Sequence, residues 1–252
     1  MQTYDFSCNV CGSQVLGMHF LGLGREGASC FTCGSSVRMR SIVHNLSMQL
    51  FGESLPLPDF PARPDLVGTG LSDWPGYAEA LATKLSYTNT FFHQEPFLDI
   101  VAPPRKWRRK SDFLISSDVF EHIPPPVDRA FAGAYALLKP GGVLILTVPY
   151  GDNPETVEHF PELHRFKLVE IDGEYALVNR ARDGSFELHT SLVFHGGPGD
   201  TLEMRIFSRA HTTDLLQAAG FVDIEVHEEQ VPRWGIILQH VFGLPMTARR
   251  PD

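Results

Sequence analysis

All four cysteines of this 252-residue chain lie in two C-x2-C pairs near its start, Cys8-Asn9-Val10-Cys11 and Cys30-Phe31-Thr32-Cys33. A C-x2-C turn aims two thiolates at one point, and two such turns make a tetrahedral four-sulfur site whose usual occupant is zinc. Gly12 and Gly34 directly follow the pairs, where the chain must turn tightly around a metal. Cys8, Cys11, Cys30 and Cys33 are therefore expected to hold a structural zinc, with no coordination position left open for catalysis. Two disulfides or four free thiols are the other readings of the same residues.

Histidines are the second group with chemical reach. His122 follows an acid-rich turn, His159 and His164 stand in Glu158-His159-Phe160-Pro161-Glu162-Leu163-His164, and His195 opens a His-Gly-Gly-Pro-Gly loop. That loop is either an anion-binding nest or a plain hairpin, and it lacks the Lys-Ser or Lys-Thr of a phosphate-binding P-loop. No Gly-x-Ser-x-Gly is present for a Ser/His/Asp hydrolase.

Alternating elements must position these groups. Apolar residues at helical spacing, Ile42, Leu46 and Leu50, predict a helix over 37–51, and Pro56, Pro58, Pro61 and Pro64 make a stiff connector after it. Strands are expected at 66–67 before Gly68-Thr69-Gly70, at 87–92, 113–117, 143–148 and 221–226, with a further one over 236–241. Helices are expected at 77–85, 127–138 and 212–219. Lys139-Pro140-Gly141-Gly142 reads as a helix stop. The alternation predicts an α/β fold, a Rossmann-like sheet with helices on both faces. The expected division is a zinc ribbon over 1–36, a connecting helix and proline-rich linker over 37–63, and the main domain over 64–252. In such a sheet, ligands lie beyond the carboxyl ends of the strands, and Gly68, Gly70, Asp99, Asp118 and Glu121 all fall at or just after predicted strand ends.

Composition narrows the partners. Hydrophobic residues make up 43% and charged residues 20% of the chain, as in globular proteins. No apolar run reaches the roughly 18 residues of a membrane span, the first residues lack the features of a signal peptide, and a reduced, cytoplasmic setting suits a zinc–thiolate site. The formal net charge of −9 argues against a general grip on nucleic acid. The basic stretch Arg105-Lys106-Trp107-Arg108-Arg109-Lys110 is the local exception.

The segment Asp112–Tyr150, DFLISSDVFEHIPPPVDRAFAGAYALLKPGGVLILTVPY, resembles the class I S-adenosylmethionine-dependent methyltransferases. The matching pieces are a strand ending in Asp118, the Glu121-His122 pair, a helix, the Leu-Lys-Pro-Gly-Gly turn and a strand ending in Pro149. The helix ending in Ala219-Gly220-Phe221 resembles the lead into that family's final strand pair. The resemblance covers roughly residues 64–228. It implies S-adenosyl-L-methionine as cofactor, with Gly68 and Gly70 against its methionine part, Asp99 near the adenine amine, Asp118 holding the amino group, and Glu121 beside it. It departs from the family's acid-x-Gly-x-Gly-x-Gly loop at Leu66 and Ser72. No acid follows the second strand at once, so Asn89, Thr90 and Glu95 are all open for the ribose. The short run from Thr90 to Asp99 leaves no room for an intervening helix. The loop after the fifth strand faces the acceptor in this family, so His159 and His164 rank first as general base and His122 next. The implied activity is methyl transfer to an oxygen or nitrogen of a small molecule, such as a sugar or secondary metabolite. RNA methylation and a non-catalytic binding module on a degenerate fold are the alternatives.

The cysteine reading is checked by metal analysis of protein purified without added metal. Near-stoichiometric zinc is expected, lowered in Cys30→Ser together with the stability of the first residues. Full metal retention in that variant rules out the four-ligand site.

Overall fold

The computed structural model describes residues 2–151, 153–240 and 242–252. The chain opens with a hairpin of β1 (Thr3–Ser7) and β2 (Gln14–His19), followed by α1 (Val37–Phe51). The main domain continues with β3 (Arg63–Leu71), α2 (Pro75–Lys84), β4 (Leu85–Thr90), β5 (Ser111–Ser117), α3 (Asp128–Leu137) and β6 (Leu138–Thr147). Short pairings β7 (Tyr150–Gly151) and β8 (Val157–Glu158) lead to a three-stranded meander of β9 (Arg165–Ile171), β10 (Glu174–Arg180) and β11 (Phe186–His189). Then come β12 (Arg205–Ser208), which pairs with β7 and β8, α4 (Arg209–Ala218), β13 (Val222–Val226) and β14 (Met246–Arg249). Among the described residues no helix is long and apolar enough to cross a membrane.

The central sheet has the order β13-β14-β6-β5-β3-β4. Strands β4, β3, β5 and β6 run parallel, and β14 is antiparallel to both β6 and β13. Successive side chains of a strand point to opposite faces, and here both faces are buried. Phe113, Ile115, Val143 and Ile145 join one apolar cluster with α1, α2 and the first 30 residues. Leu114, Leu144 and Leu146 join a second cluster with Phe131 and Ala134 of α3 and Leu216 of α4. The strands therefore read as near-continuous apolar runs rather than as an alternation. This is the Rossmann-like, two-faced arrangement that the alternating pattern predicts.

Local signals set the helix ends. Ser36 caps α1, its hydroxyl accepting from the Met39 N–H, and Gly52 ends the helix in the left-handed region at φ 72°. Ser208 caps α4 in the same way, through the His211 N–H at 3.1 Å. Helix α1 packs across the sheet over β6, and the core beneath it is continuous with the cysteine-bearing segment through Cys8, Val10, Cys30 and Val37.

Two expected elements differ. Strand β6 begins at Leu138, because Pro140 and the left-handed Gly141 (φ 71°) are absorbed as a bulge in its pairing with β5. Residues 236–240 form no strand, and Val241 lies outside the described residues. Ile236 and Ile237 are apolar because they plug the core beside the cysteine-bearing unit. The last strand is β14, in Leu-Pro-Met-Thr-Ala-Arg. Between β4 and β5 the chain has neither helix nor strand, in keeping with the short spacing read from the sequence.

That shortened stretch is closed by one tight contact. A Cβ on Gly133 of α3 would stand 1.7 Å from the Ile100 carbonyl oxygen, a backbone atom that cannot swing aside. Gly133→Ala is expected to lower stability by about 1–3 kcal/mol in urea titrations, the usual effect of overpacking. Gly24→Ala, which meets nothing within 4 Å, serves as the control.

Candidate functional site

The carboxyl ends of β3, β4 and β5 meet at one place. Past Leu71, Ser72 adopts φ 54° and its N–H donates to the Thr90 carbonyl at 2.7 Å. A serine in the left-handed region is uncommon. It stands where the resembling family carries its third glycine, so the turn keeps its course without that glycine. The Thr90 hydroxyl donates back to Gly70 O at 2.7 Å, tying the ends of β3 and β4 together. Asp99 accepts the Val101 N–H at 2.9 Å through Oδ1, which fixes the loop after Phe97. Beyond these ends opens a cavity of about 760 Å³ whose walls include Ser72, Phe91, Asp99, Asp118, His122 and Leu202. That volume is typical of a small-ligand site.

Asp118 is the most strongly held acid there. It too is left-handed, at φ 52°. Arg25 grips its carboxylate with two hydrogen bonds of 2.7 and 2.8 Å, Arg38 Nε lies at 3.2 Å, and the Thr147 hydroxyl donates at 2.8 Å. Burial alone would raise this carboxyl. The Arg25 hydrogen bonds, the charges of Arg25 and Arg38, and the Thr147 hydroxyl outweigh burial and hold it at about 2. Arg25 itself is anchored by Nε to the Gly243 carbonyl at 2.9 Å. Both arginines belong to the N-terminal part of the chain, so that part completes the end of β5.

Gly68 and Gly70 do not line the cavity. A Cβ on Gly68 would stand 2.0 Å from the Phe113 ring, and one on Gly70 would stand 1.9 Å from the Tyr87 hydroxyl. Their missing side chains make room for packing on the α1/α2 face. Beside Gly70, the fully buried Asp73 accepts the Tyr77 hydroxyl at 2.7 Å and the Tyr87 hydroxyl as well. Burial pushes its carboxyl up to about 7, and the two phenols work against that rise. Asn89 holds the Asp73 backbone at both N–H and C=O, at 2.9 and 2.8 Å, and Glu95 accepts the Phe97 N–H. Of the three residues left open for the ribose, only Thr90 reaches the cavity wall.

The remaining sequence candidates divide. His122 lines the cavity. Glu121 is fully buried and faces His122 and His195. His159 bonds Glu203 at 2.8 Å. His164 lies beside the meander, its N–H donating to Asn179, and does not reach the cavity. Arg25 and Arg38 at Asp118, Asp73 beside Gly70 and Glu203 at His159 are contacts of these candidates that no motif pointed to. An unpaired acid predicted at a strand end is the one hint that a distant arginine must meet it.

The four cysteines come together just before the start of α1, where Cys8 Sγ lies 3.2 Å from Ser35 Oγ. Cys8 Sγ and Cys33 Sγ are 3.7 Å apart, as are Cys11 Sγ and Cys30 Sγ, and all four lie within 4.8 Å of one another. Each C-x2-C turn closes through a glycine N–H to the first cysteine's carbonyl, Gly12 to Cys8 at 2.7 Å and Gly34 to Cys30 at 2.8 Å, with both glycines left-handed. The fully buried Arg40 sits behind the group and bonds Ser35 O, Ser29 Oγ and Gly235 O. A buried cation is what a cluster of thiolates around a divalent ion calls for, so the residues fit zinc.

No protein-family model matches the chain, and no curated protein matches it. Among solved structures it is similar to the 1,6-didemethyltoxoflavin-N1-methyltransferase of Burkholderia thailandensis, solved with 1,6-didemethyltoxoflavin and S-adenosylhomocysteine. The identity is 18%, covering 84% of this chain and 79% of that one, at a TM-score of 0.45. It is similar to an amino pentose methyltransferase of Micromonospora echinaspora with S-adenosylmethionine bound, at 14% identity over 86% and 92% of the two chains and a TM-score of 0.45. A third is an S-adenosylmethionine-dependent methyltransferase of Clostridium acetobutylicum, at 12% identity over 82% and 97% and a TM-score of 0.44.

The Asp118 pairing has a testable size and sign. Asp118→Asn leaves two partly buried guanidinium groups with only Glu26 as a carboxylate partner, and is expected to cost about 2–3 kcal/mol at pH 7. Because the folded carboxyl titrates near 2 and the unfolded one near 3.8, the wild-type advantage is complete above about pH 4 and disappears as the pH falls through 2. Paired urea melts at pH 7, 4 and 3 check this; a constant gap between wild type and variant would contradict it.

Proposed function

We propose that this protein is an S-adenosylmethionine-dependent methyltransferase acting on an oxygen or nitrogen of a small molecule. The observation that carries the proposal is the cavity at the carboxyl ends of β3, β4 and β5, at the place where an open parallel sheet binds its ligand. The motif resemblance in Asp112–Tyr150 supports it as well, since Asp118 and His122, two of the residues it marks, line the same opening.

The residues fit the cofactor. Asp99 stands at the cavity wall where the adenine amine would be met, and Phe91 and the half-exposed Phe92 offer apolar faces to the ring. Thr90 is placed for a ribose hydroxyl. Asp118 lines the same wall, and because Arg25, Arg38 and Thr147 already occupy both its oxygens, any contact with the amino group of the methionine part would be shared with them. When bound, S-adenosylmethionine supplies an electrophilic methyl on sulfur, so the protein has mainly to align an acceptor and exclude water. The wall formed by Asp200, Thr201, Leu202 and Met204, between the meander and β12, covers the acceptor side. A cavity walled by side chains on this side suits a small acceptor, as does the net charge of −9.

Isothermal calorimetry with S-adenosylmethionine and S-adenosylhomocysteine tests the proposal. Binding of both at micromolar levels is expected, and Asp99→Ala should weaken it about tenfold or more, the loss of one hydrogen bond to a charged group. Absence of binding at millimolar ligand sinks the enzyme reading and favours a non-catalytic binding module.

A further inference from the structure

Among the described residues, Glu121 is a fully buried acid with both carboxylate oxygens unsatisfied by any hydrogen-bond partner. Leaving a buried carboxylate without partners is costly. Two imidazoles converge on it. His122 Nε2 lies 3.6 Å and His195 Nδ1 3.9 Å from Glu121 Oε1, too long for hydrogen bonds. The two rings meet edge to face with centroids 4.8 Å apart.

The far side of each ring is already engaged. His122 Nδ1 bonds the Leu202 carbonyl at 3.0 Å, a contact that requires a proton on Nδ1 and leaves Nε2 with its lone pair toward Glu121. His195 Nε2 bonds Glu203 Oε2 at 2.8 Å, which in the same way leaves Nδ1 bare toward Glu121. Glu203 is nearly buried and takes His159 Nε2 on its other oxygen, also at 2.8 Å. Such backing by a carbonyl on one histidine and a carboxylate on the other is the arrangement that sets tautomer and direction in metal-binding histidines.

We infer that Glu121, His122 and His195 bind a divalent first-row transition-metal ion at the acceptor end of the cavity. Ligand atoms about 2.1 Å from one ion stand roughly 3–3.4 Å from each other. Glu121 Oε1 stands 3.6 and 3.9 Å from the two ring nitrogens and all three ligand atoms lie within 4.8 Å of one another, so a shift of the exposed His195 ring on the order of 1 Å brings them to that geometry. Two imidazoles and one carboxylate make a nitrogen and oxygen donor set suited to manganese, iron, cobalt or zinc rather than to magnesium or calcium. The site is separate from the four cysteines, and it opens on the cavity through His122. Three protein ligands leave coordination positions for solvent or an acceptor.

The role of the ion, though not the existence of its site, rests on the methyl-transfer reading. An acceptor hydroxyl on the ion loses its proton to water more readily, because the metal charge stabilises the oxyanion. The oxygen then bonds the methyl carbon as the carbon–sulfur bond breaks and its electron pair stays on sulfur. The acceptor class is therefore a hydroxyl compound able to bind a metal through oxygen. His122 acts as a ligand in this scheme, and His159 as a positioning residue through Glu203 and His195.

The test uses full-length protein with its cysteine site saturated with zinc. Mn2+ and Co2+ are titrated separately, Mn2+ by electron paramagnetic resonance of the free ion and Co2+ by its visible spectrum. One ion per chain is expected, with nitrogen and oxygen ligation for cobalt. His195→Ala is expected to weaken binding at least about 100-fold and Glu203→Gln about 10–100-fold, the range for loss of an outer-shell partner. His195 lies in a loop with its side chain 34% exposed, so its alanine variant reports on the site even if Glu121→Gln does not fold. Failure of both ions to bind, or equal binding by wild type and His195→Ala, overturns the inference. Calorimetry with S-adenosylmethionine on the same samples separates the two readings. Cofactor binding without metal binding removes only the ion, and metal binding without cofactor binding removes only the methyltransferase.

Discussion

A carboxylate between two guanidinium groups holds the functional end of this molecule together. Asp118 leaves β5 in a left-handed conformation that ordinary residues avoid, and Arg25, Arg38 and Thr147 give it a reason to stay there. The same contact decides how the N-terminal segment sits. That segment brings its own hairpin and cysteine cluster, yet its apolar residues belong to the core over Phe113 and Ile115 and do not form a core of their own. The charge pairing and the shared core act together. One fixes a direction at the strand ends, and the other supplies the burial energy that lets partly buried charges be tolerated.

The opposite face follows a different rule. There Phe131 and Ala134 of α3 and Leu216 of α4 share one core with Leu114, Leu144 and Leu146, and Gly133 lets the Ile100 carbonyl approach α3. Close packing on that side draws the shortened stretch 91–110 tight against the sheet and leaves the cavity bounded by loops instead of by a further helix. Fully buried Arg205 performs the corresponding task on the acceptor side. It bonds Glu158 and the carbonyls of Phe120 and Ile123, pinning the turn that carries Glu121 and His122.

How much of this was legible in the residues depends on range. Signals that act over a few positions read correctly: the C-x2-C turns with their glycines, the helix over 37–51, the apolar runs of β5 and β6, and the missing helix after Thr90. Gly68 and Gly70 were legible as glycines that something must approach. Whether that something was a ligand or the rings of Phe113 and Tyr87 depends on which residue lies across the sheet, and no local pattern encodes that. Ile236 and Ile237 look like a strand because burial selects the same side chains whether the backbone pairs or merely plugs a gap. Asp118 was legible as a special acid; its partners, 93 and 80 residues upstream, were not. Likewise Glu121 and His122 read as a pair, and His195 as a loop residue, with nothing in the order of the chain to bring them face to face.

The contacts around the N-terminal segment also set an order of events. Phe20 O receives Gln239 across 219 positions, Arg25 reaches Gly243 across 218, and Arg40 reaches Gly235 across 195. Chains are made from the amino end, and contacts this distant form late. The cysteine-bearing segment leaves the ribosome well ahead of the residues that clasp it, and must wait, partly uncovered, while the sheet between them is built. The cysteine-bearing segment is thus seated only once Gly235, Gln239 and Gly243 have followed it, and these residues act as the latch that closes over it.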